Sequence, residues 1–220
     1  MSAITCQGKP FQTSQWQSAT WDDYVYLRDD PTLEQSRLFF NQGWLWIGMG
    51  SEGINHASIS DLLTSLLFIW AMAHPELKCS SLGRCQLDQT GIRSAAPDLV
   101  LYLGDSLPQW SGEGSRYLNL DRVRAPDLVG EISDTTLSID LDEKKQIYAS
   151  LGIAEYWVIN IRGQQVIMFQ LQESGFYQEC QTSPTLSGLS ARLLEQTLER
   201  LDQEPNTAAA LWFSQQLTSQ

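Results

Sequence analysis

The chain is short of histidine and of basic residues, and its cysteines have no metal-ligand spacing. Two histidines and four cysteines (Cys6, Cys79, Cys85 and Cys180), none in a CxxC pair, argue against a structural zinc site. With 14 Lys and Arg against 26 Asp and Glu, the formal net charge of −12 argues against a polybasic, sequence-independent grip on membranes or nucleic acid. A locally basic cleft on an acidic protein is still compatible with that balance. No disulfide framework is needed at 220 residues, which points to a reducing cytoplasm. The stretch MSAITCQGKPFQTSQWQ lacks the basic region and apolar run of a signal peptide. The longest apolar run, Leu62 to Ala73, is interrupted by Thr64 and Ser65 and falls short of the roughly 20 residues that cross a bilayer. A Gly-rich phosphate loop, a Ser-His-Asp order and a Cys-His pair are also missing, so acyl transfer and nucleotide hydrolysis have no support. The expectation is a soluble, cytoplasmic protein with no membrane association.

Hydrophobic residues make up 42% of the chain and eight are Trp, enough for a sizeable core. The pattern predicts an α+β fold, a mixed central sheet flanked by helices. Residues 1–34 read as an N-terminal arm or hairpin extension, 35–190 as the main domain, and 191–220 as a helical tail packed on it. Ser36–Phe40 and Gly43–Met49, separated by Asn41-Gln42-Gly43, read as a β-hairpin. Ile59, Leu62, Leu63, Leu66 and Trp70 recur at helical spacing and predict a long core helix over 56–73 that Pro75 stops. Strands are expected over 78–82, 85–88, 98–103 and 127–132, and a further hairpin over 156–169. Between 140 and 152 a second helix is expected, with Asp140 as N-cap, Glu143 completing a capping box, and Gly152 at the C-terminal end.

The pentapeptide APDLV occurs twice, at 96–100 and 125–129, and only the second copy runs into Gly130-Glu131-Ile132-Ser133. Side chains alternate along a strand, so Asp127, Val129 and Glu131 share one face. Glu131 thus sits mid-strand in an apolar segment, where a buried carboxylate requires a counter-ion, a metal or a proton; a solvated face is the alternative. Asp98 opens the strand of the first copy, as a turn residue or as a partner of Glu131 across neighbouring strands. Asp127 is the competing aspartate. Four residues from Glu131 on one extended strand, it lies roughly 13 Å away, too far to share a cation without a bent strand. On the following helix, Leu141, Ile147, Tyr148 and Leu151 form one apolar stripe with Lys144 near its middle and Lys145 at its edge. A lysine there either snorkels to solvent or meets an acid. His56 is an auxiliary candidate or a packed histidine, and Glu52 a weaker one. Arg93, Arg122 and Arg124 are the local sources of positive potential, or ordinary solvated side chains. Trp110, in a Gly- and Ser-rich loop, is the exposed candidate for stacking.

The segment EISDTTLSIDLDEKKQIYASLGIAEYWVIN, together with AAPDLVLY and NHASISDLLTSLLFIWA, resembles the putative restriction endonuclease family abundant in cyanobacteria, part of the PD-(D/E)XK nuclease superfamily. The Asp140–Lys144–Tyr148 spacing and Gly152-Ile153 before Glu155-Tyr156-Trp157 carry the likeness, which covers roughly residues 35–180. It implies a restriction-endonuclease-like core and a Mg²⁺- or Mn²⁺-dependent endonuclease acting on DNA. Asp98 matches the acid of the PD motif and Glu131 that of the (D/E)XK motif. With the backbone carbonyl of Ile132, they are the implied metal ligands. Ser133 stands where the motif's lysine is expected, and Lys144 takes that role from the helix. Lys145 joins the three arginines as a possible nucleic-acid contact, and a homodimer suits duplex cleavage. A nuclease fold used only for binding is the alternative reading, motivated by the −12 charge and the absent lysine at 133.

Overall fold

The structure is a computed structural model that describes residues 4–6, 8–48, 53–109 and 117–218. Glu52 and Trp110 lie outside the described residues. Residue contacts divide the chain into two discontinuous units: 1–52, 85–96 and 113–124 form one, and 53–84, 97–112 and 125–220 the other. This partition differs from the boundaries 1–34, 35–190 and 191–220. Apolar periodicity reports which residues form strands, but not which distant strand each one pairs with.

In the first unit, Ile4–Cys6 pairs antiparallel with Lys9–Phe11. A six-stranded sheet runs in the order Tyr117–Asn119, Gln86–Gln89, Arg93–Ala95, Arg37–Asn41, Trp44–Gly48 and Trp16–Ser18. The expected hairpin supplies its fourth and fifth strands. Gln42 (φ 48°) and Gly43 (φ 91°) both take the left-handed backbone that a tight two-residue turn requires. Residues 21–29, inside the expected N-terminal arm, form a helix closed by a capping box between Thr20 and Asp23. Its buried positions are only Tyr24 and Leu27, too few to stand out as a stripe. Tyr24 Oη donates to Asp88 at 2.6 Å and Arg28 Nη1 at 2.7 Å, with Ser94 Oγ completing the shell, so this buried aspartate is accounted for.

The second unit contains, in chain order, α1 (Ile54–Ala73), β1 (Cys79–Ser81), β2 (Leu99–Leu103) and β3 (Leu128–Ser133). Helix α2 follows as Leu137–Ile139, Asp140–Lys144 and Lys145–Ser150 in unbroken succession. Then come β4 (Glu155–Asn160), β5 (Gln165–Leu171), β6 (Tyr177–Cys180), α3 (Ala191–Glu199) and α4 (Asn206–Leu217). The sheet order is β6-β5-β4-β3-β2-β1. Only β3 and β4 are parallel in it, so the sheet is mixed and the fold α+β. A parallel pair needs a crossover, and α2 is that crossover.

Register assigns the faces. Leu128, Gly130 and Ile132 of β3 align with Glu155, Trp157 and Ile159 of β4. With Leu99 and Leu101 these face the main core, which includes Leu62, Leu63, Leu66 and Trp70 of α1, Leu194 of α3 and Phe213 of α4. A side chain at Gly130 would meet Leu99 at 3.0 Å, which explains a glycine in mid-strand. Val129, Glu131 and Ser133 align with Tyr156, Val158 and Asn160 on the opposite face, where α2 packs Tyr148 against Tyr156. Helix α1 spans 20 residues, beyond the apolar run noted in the sequence, and by length and composition is apolar enough to cross a membrane. Here its apolar side is part of the unit's core.

Helix α2 corrects one expectation. It begins at Leu137, and Asp140 lies inside it with helical backbone instead of capping it. Gly152 does end the segment, in the left-handed conformation (φ 71°).

Candidate functional site

Glu131 is placed by β3 on the face that α2 covers, and it is 1% exposed. Neither it nor Lys144, 3% exposed, is on a solvated face. Lys144 Nζ lies 3.1 Å from Glu131 Oε2 and 2.8 Å from Asp140 Oδ1. Tyr148 Oη donates a short hydrogen bond to Glu131 Oε1. Lys144 and Tyr148 thus converge on one carboxylate, and Asp140, four residues before Lys144, pairs with the same ammonium. A regular α-helix drifts about 40° over four residues, so such a row would rotate off the sheet. Residues 140–144 form a wider π-helical turn that takes up the drift, a feature that recurs at functional sites.

Asp98 immediately precedes β2 and is 2% exposed. Its Oδ2 accepts the backbone N–H of Ile132 at 2.8 Å, just past the last β2–β3 pair, Leu99 with Gly130. On an extended strand the N–H and C=O of one residue project to the same side, so the Ile132 carbonyl also faces the Asp98 edge. His56, in the first turn of α1, has Nε2 3.4 Å from Asp98 Oδ1. On the far side of Asp98 the chain is tightly held: Arg84 N–H donates to the Pro97 carbonyl, and a side chain at Gly83 would meet the Asp98 carbonyl at 2.9 Å.

Asp127 is not part of this cluster. Its Oδ2 accepts the N–H of Leu103 at 2.7 Å, and its backbone joins β2 and β4. Asp127→Ala is therefore expected to lower stability by about 1–3 kcal/mol, through an unsatisfied backbone donor, without changing the chemistry of the centre. Chemical denaturation alongside a cleavage assay checks this; loss of cleavage in a fully folded Asp127→Ala protein contradicts it. Ser133 is fully buried two residues beyond Glu131 on the same face, and its Oγ has no hydrogen-bond partner among the described residues. Lys145 points elsewhere, with Nζ 3.7 Å from the centroid of the Phe169 ring. Arg93, Arg122 and Arg124 belong to the first unit, where Arg93 Nη1 donates to Gln89.

Two residues of the cluster, Asp140 and Tyr148, were read from sequence as a helix cap and as part of an apolar stripe. Their signal was the 140–144–148 spacing itself. Glu155 shows the contrast: buried on the other face, it accepts from Trp157 Nε1, Ser183 Oγ and Thr185 N–H, all neutral donors, and serves to pin a loop.

Burial disfavours the charge on Lys144, but Glu131 and Asp140, with Asp98 further off, outweigh it and hold the ammonium above the usual lysine range. Lys144 is consequently held as a cation and hydrogen-bond donor. Burial, followed by the charge of Glu131, pushes the Tyr148 phenol well above its usual value, so it remains a donor. Asp98, Glu131 and Asp140 are all buried; Glu131 and Asp140 pair with the Lys144 ammonium, and Asp98 lies against His56. The donors are hard oxygens, which suit Mg²⁺ or Mn²⁺, and Mg²⁺ needs only one or two carboxylates because it retains waters. Among the described residues, no three His, Cys, Asp or Glu side chains group as a metal cage.

A family model described as "Uma2: Putative restriction endonuclease" matches residues 21–204. No curated protein matches the chain. Among solved structures, the crystal structure of "a putative nuclease belonging to DUF820" from Anabaena variabilis is similar, with a TM-score of 0.58 and 18% identity. The match covers 82% of this chain and 99% of that one. At that identity the likeness establishes a shared fold.

Proposed function

Since the chain belongs to the Uma2 family of putative restriction endonucleases, we propose that its buried acid–lysine centre makes it a metal-dependent endonuclease that hydrolyses DNA phosphodiester bonds. The observation that carries this reading is Lys144, buried on the crossover helix, 3.1 Å from the mid-strand Glu131 and 2.8 Å from Asp140, with His56 against the buried Asp98. In this reading the constellation is that of PD-(D/E)XK nucleases with the lysine moved from position 133 to the helix. Asp98, Glu131 and the Ile132 carbonyl would hold Mg²⁺ or Mn²⁺, which when bound polarises the phosphoryl group and lowers the pKa of water. Lys144 supplies fixed positive charge where the phosphate becomes more negative. Tyr148 orients Glu131, and His56 lies against Asp98. A protein of net charge −12 repels a phosphate backbone at long range, so the cation and Lys144 carry local attraction.

A second reading has its own observation: both Glu131 oxygens already have protein partners, as expected of a nuclease fold retained for binding. Incubating the purified chain with supercoiled plasmid and single-stranded DNA in Mg²⁺, in Mn²⁺ and in EDTA separates the two. Cleavage that requires the metal and disappears in Asp98→Asn supports the nuclease. Binding without cleavage under every metal condition supports the second reading and sinks the first.

A further inference from the structure

Asp140 holds Lys144 by contacts that owe nothing to Glu131. Its Oδ1 is 2.8 Å from Lys144 Nζ, the shorter of the two ion pairs, and its Oδ2 accepts from Thr136 Oγ1 at 2.7 Å. The Asp140 carbonyl accepts from Tyr156 Oη at 2.9 Å, so side chain and backbone are both anchored within the wide turn. Glu131, in contrast, faces two demands: it pairs with Lys144 and receives Tyr148, and it is also a ligand in the metal reading above, on which this inference rests. A buried ammonium whose partner turns away to a cation would be left unpaired, at large cost.

We infer that Asp140 is a positioning residue that retains the Lys144 ammonium when Glu131 turns to a divalent cation, so that cation binding strands no buried charge. Lys144 then has two carboxylate seats, one permanent and one exchangeable. The permanent seat keeps the ammonium in the centre, instead of letting it be expelled by the incoming cation. Asp140 need not touch substrate or metal to do this.

The test is Mn²⁺ affinity, measured by calorimetry or by the loss of free-ion electron paramagnetic resonance signal, on the full chain without DNA. Asp140→Asn is expected to weaken Mn²⁺ binding by about tenfold, a typical coupling between neighbouring charged groups. Asp140→Glu, which keeps the carboxylate, recovers most of that loss. In a Lys144→Gln background, Asp140→Asn has no further effect, because no ammonium remains to be retained. Simple loss of a nearby negative charge gives a different pattern, with equal or greater weakening in the Lys144→Gln background. That pattern overturns the inference, as does unchanged affinity in Asp140→Asn alone.

Thr136→Val keeps the charge and removes only the hydroxyl that anchors it. If Asp140→Asn does not fold, Thr136→Val takes its place in the same cycle, with a smaller weakening expected and no effect overturning the inference. A wild-type chain that binds no Mn²⁺ refutes the metal reading itself and this inference with it. A wild type that binds Mn²⁺, with Asp140→Asn binding equally well, refutes this inference alone.

Discussion

Glu131→Gln is expected to leave a folded protein whose cleavage rate falls by about 10²–10³-fold, the usual loss on removing one preorganised electrostatic group from a reaction centre. The substitution is nearly isosteric. The amide oxygen still accepts from Tyr148; the amide NH2 then faces the Lys144 ammonium, which shifts toward Asp140, its remaining counter-ion. Loss of activity with an almost unchanged thermal transition therefore separates a role in chemistry from a role in folding. Single-turnover cleavage of plasmid DNA, read beside a circular-dichroism melt, makes the distinction. A Glu131→Gln protein that cuts at the wild-type rate would remove Glu131 from the centre. One that unfolds outright would make the pair with Lys144 structural.

Raising the pH above about 10 is expected to destabilise both units steeply, because the tyrosines there keep protons that the unfolded chain gives up. Burial, and then Asp88, pushes up the pKa of Tyr24 in the first unit. In the second unit burial does the same, first and most strongly, to Tyr156 and Tyr177, with Glu131 and Glu155 respectively adding to it. Each folded-state pKa is raised, so each contribution is fully present below the ordinary tyrosine value near pH 10 and is lost as pH rises toward the raised one. Above pH 10 the unfolded chain binds fewer protons, and each tyrosine subtracts up to about 1.4 kcal/mol per pH unit. In the second unit Tyr148, Tyr156 and Tyr177 together remove several kcal/mol within one to two pH units, a large part of an ordinary domain's stability of about 5–15 kcal/mol. Denaturant titrations at pH 8, 10 and 11 follow this directly. Tyr177→Phe should shallow the slope, since it removes one raised phenol and, among the described residues, one hydrogen bond, to the Ile153 carbonyl. A midpoint that is flat from pH 8 to 11 contradicts the argument.

Some of this molecule is decided by local chemistry and was legible in the residues. The helix around Leu62 to Trp70, the hairpin turning at Gln42-Gly43 and the left-handed stop at Gly152 each follow from spacing or backbone preference within a few residues. The meeting of Glu131 with Lys144 was legible too, because an acid in an apolar strand and a base on an apolar helix stripe both need a partner. Other features are decided by pairing across the chain. Nothing local says that 86–95 and 117–119 join the N-terminal strands in a separate sheet, since strand periodicity is the same whichever neighbour supplies the hydrogen bonds. Asp140 looks like a helix cap until Leu137–Ile139 are seen to be helical, and Asp127 resembles Asp98 until Leu103 claims its carboxylate. The sequence by itself determined which groups could not be buried alone. Only the tertiary structure decided which partners they found, because burial creates the demand locally while the chain's long-range return supplies the answer.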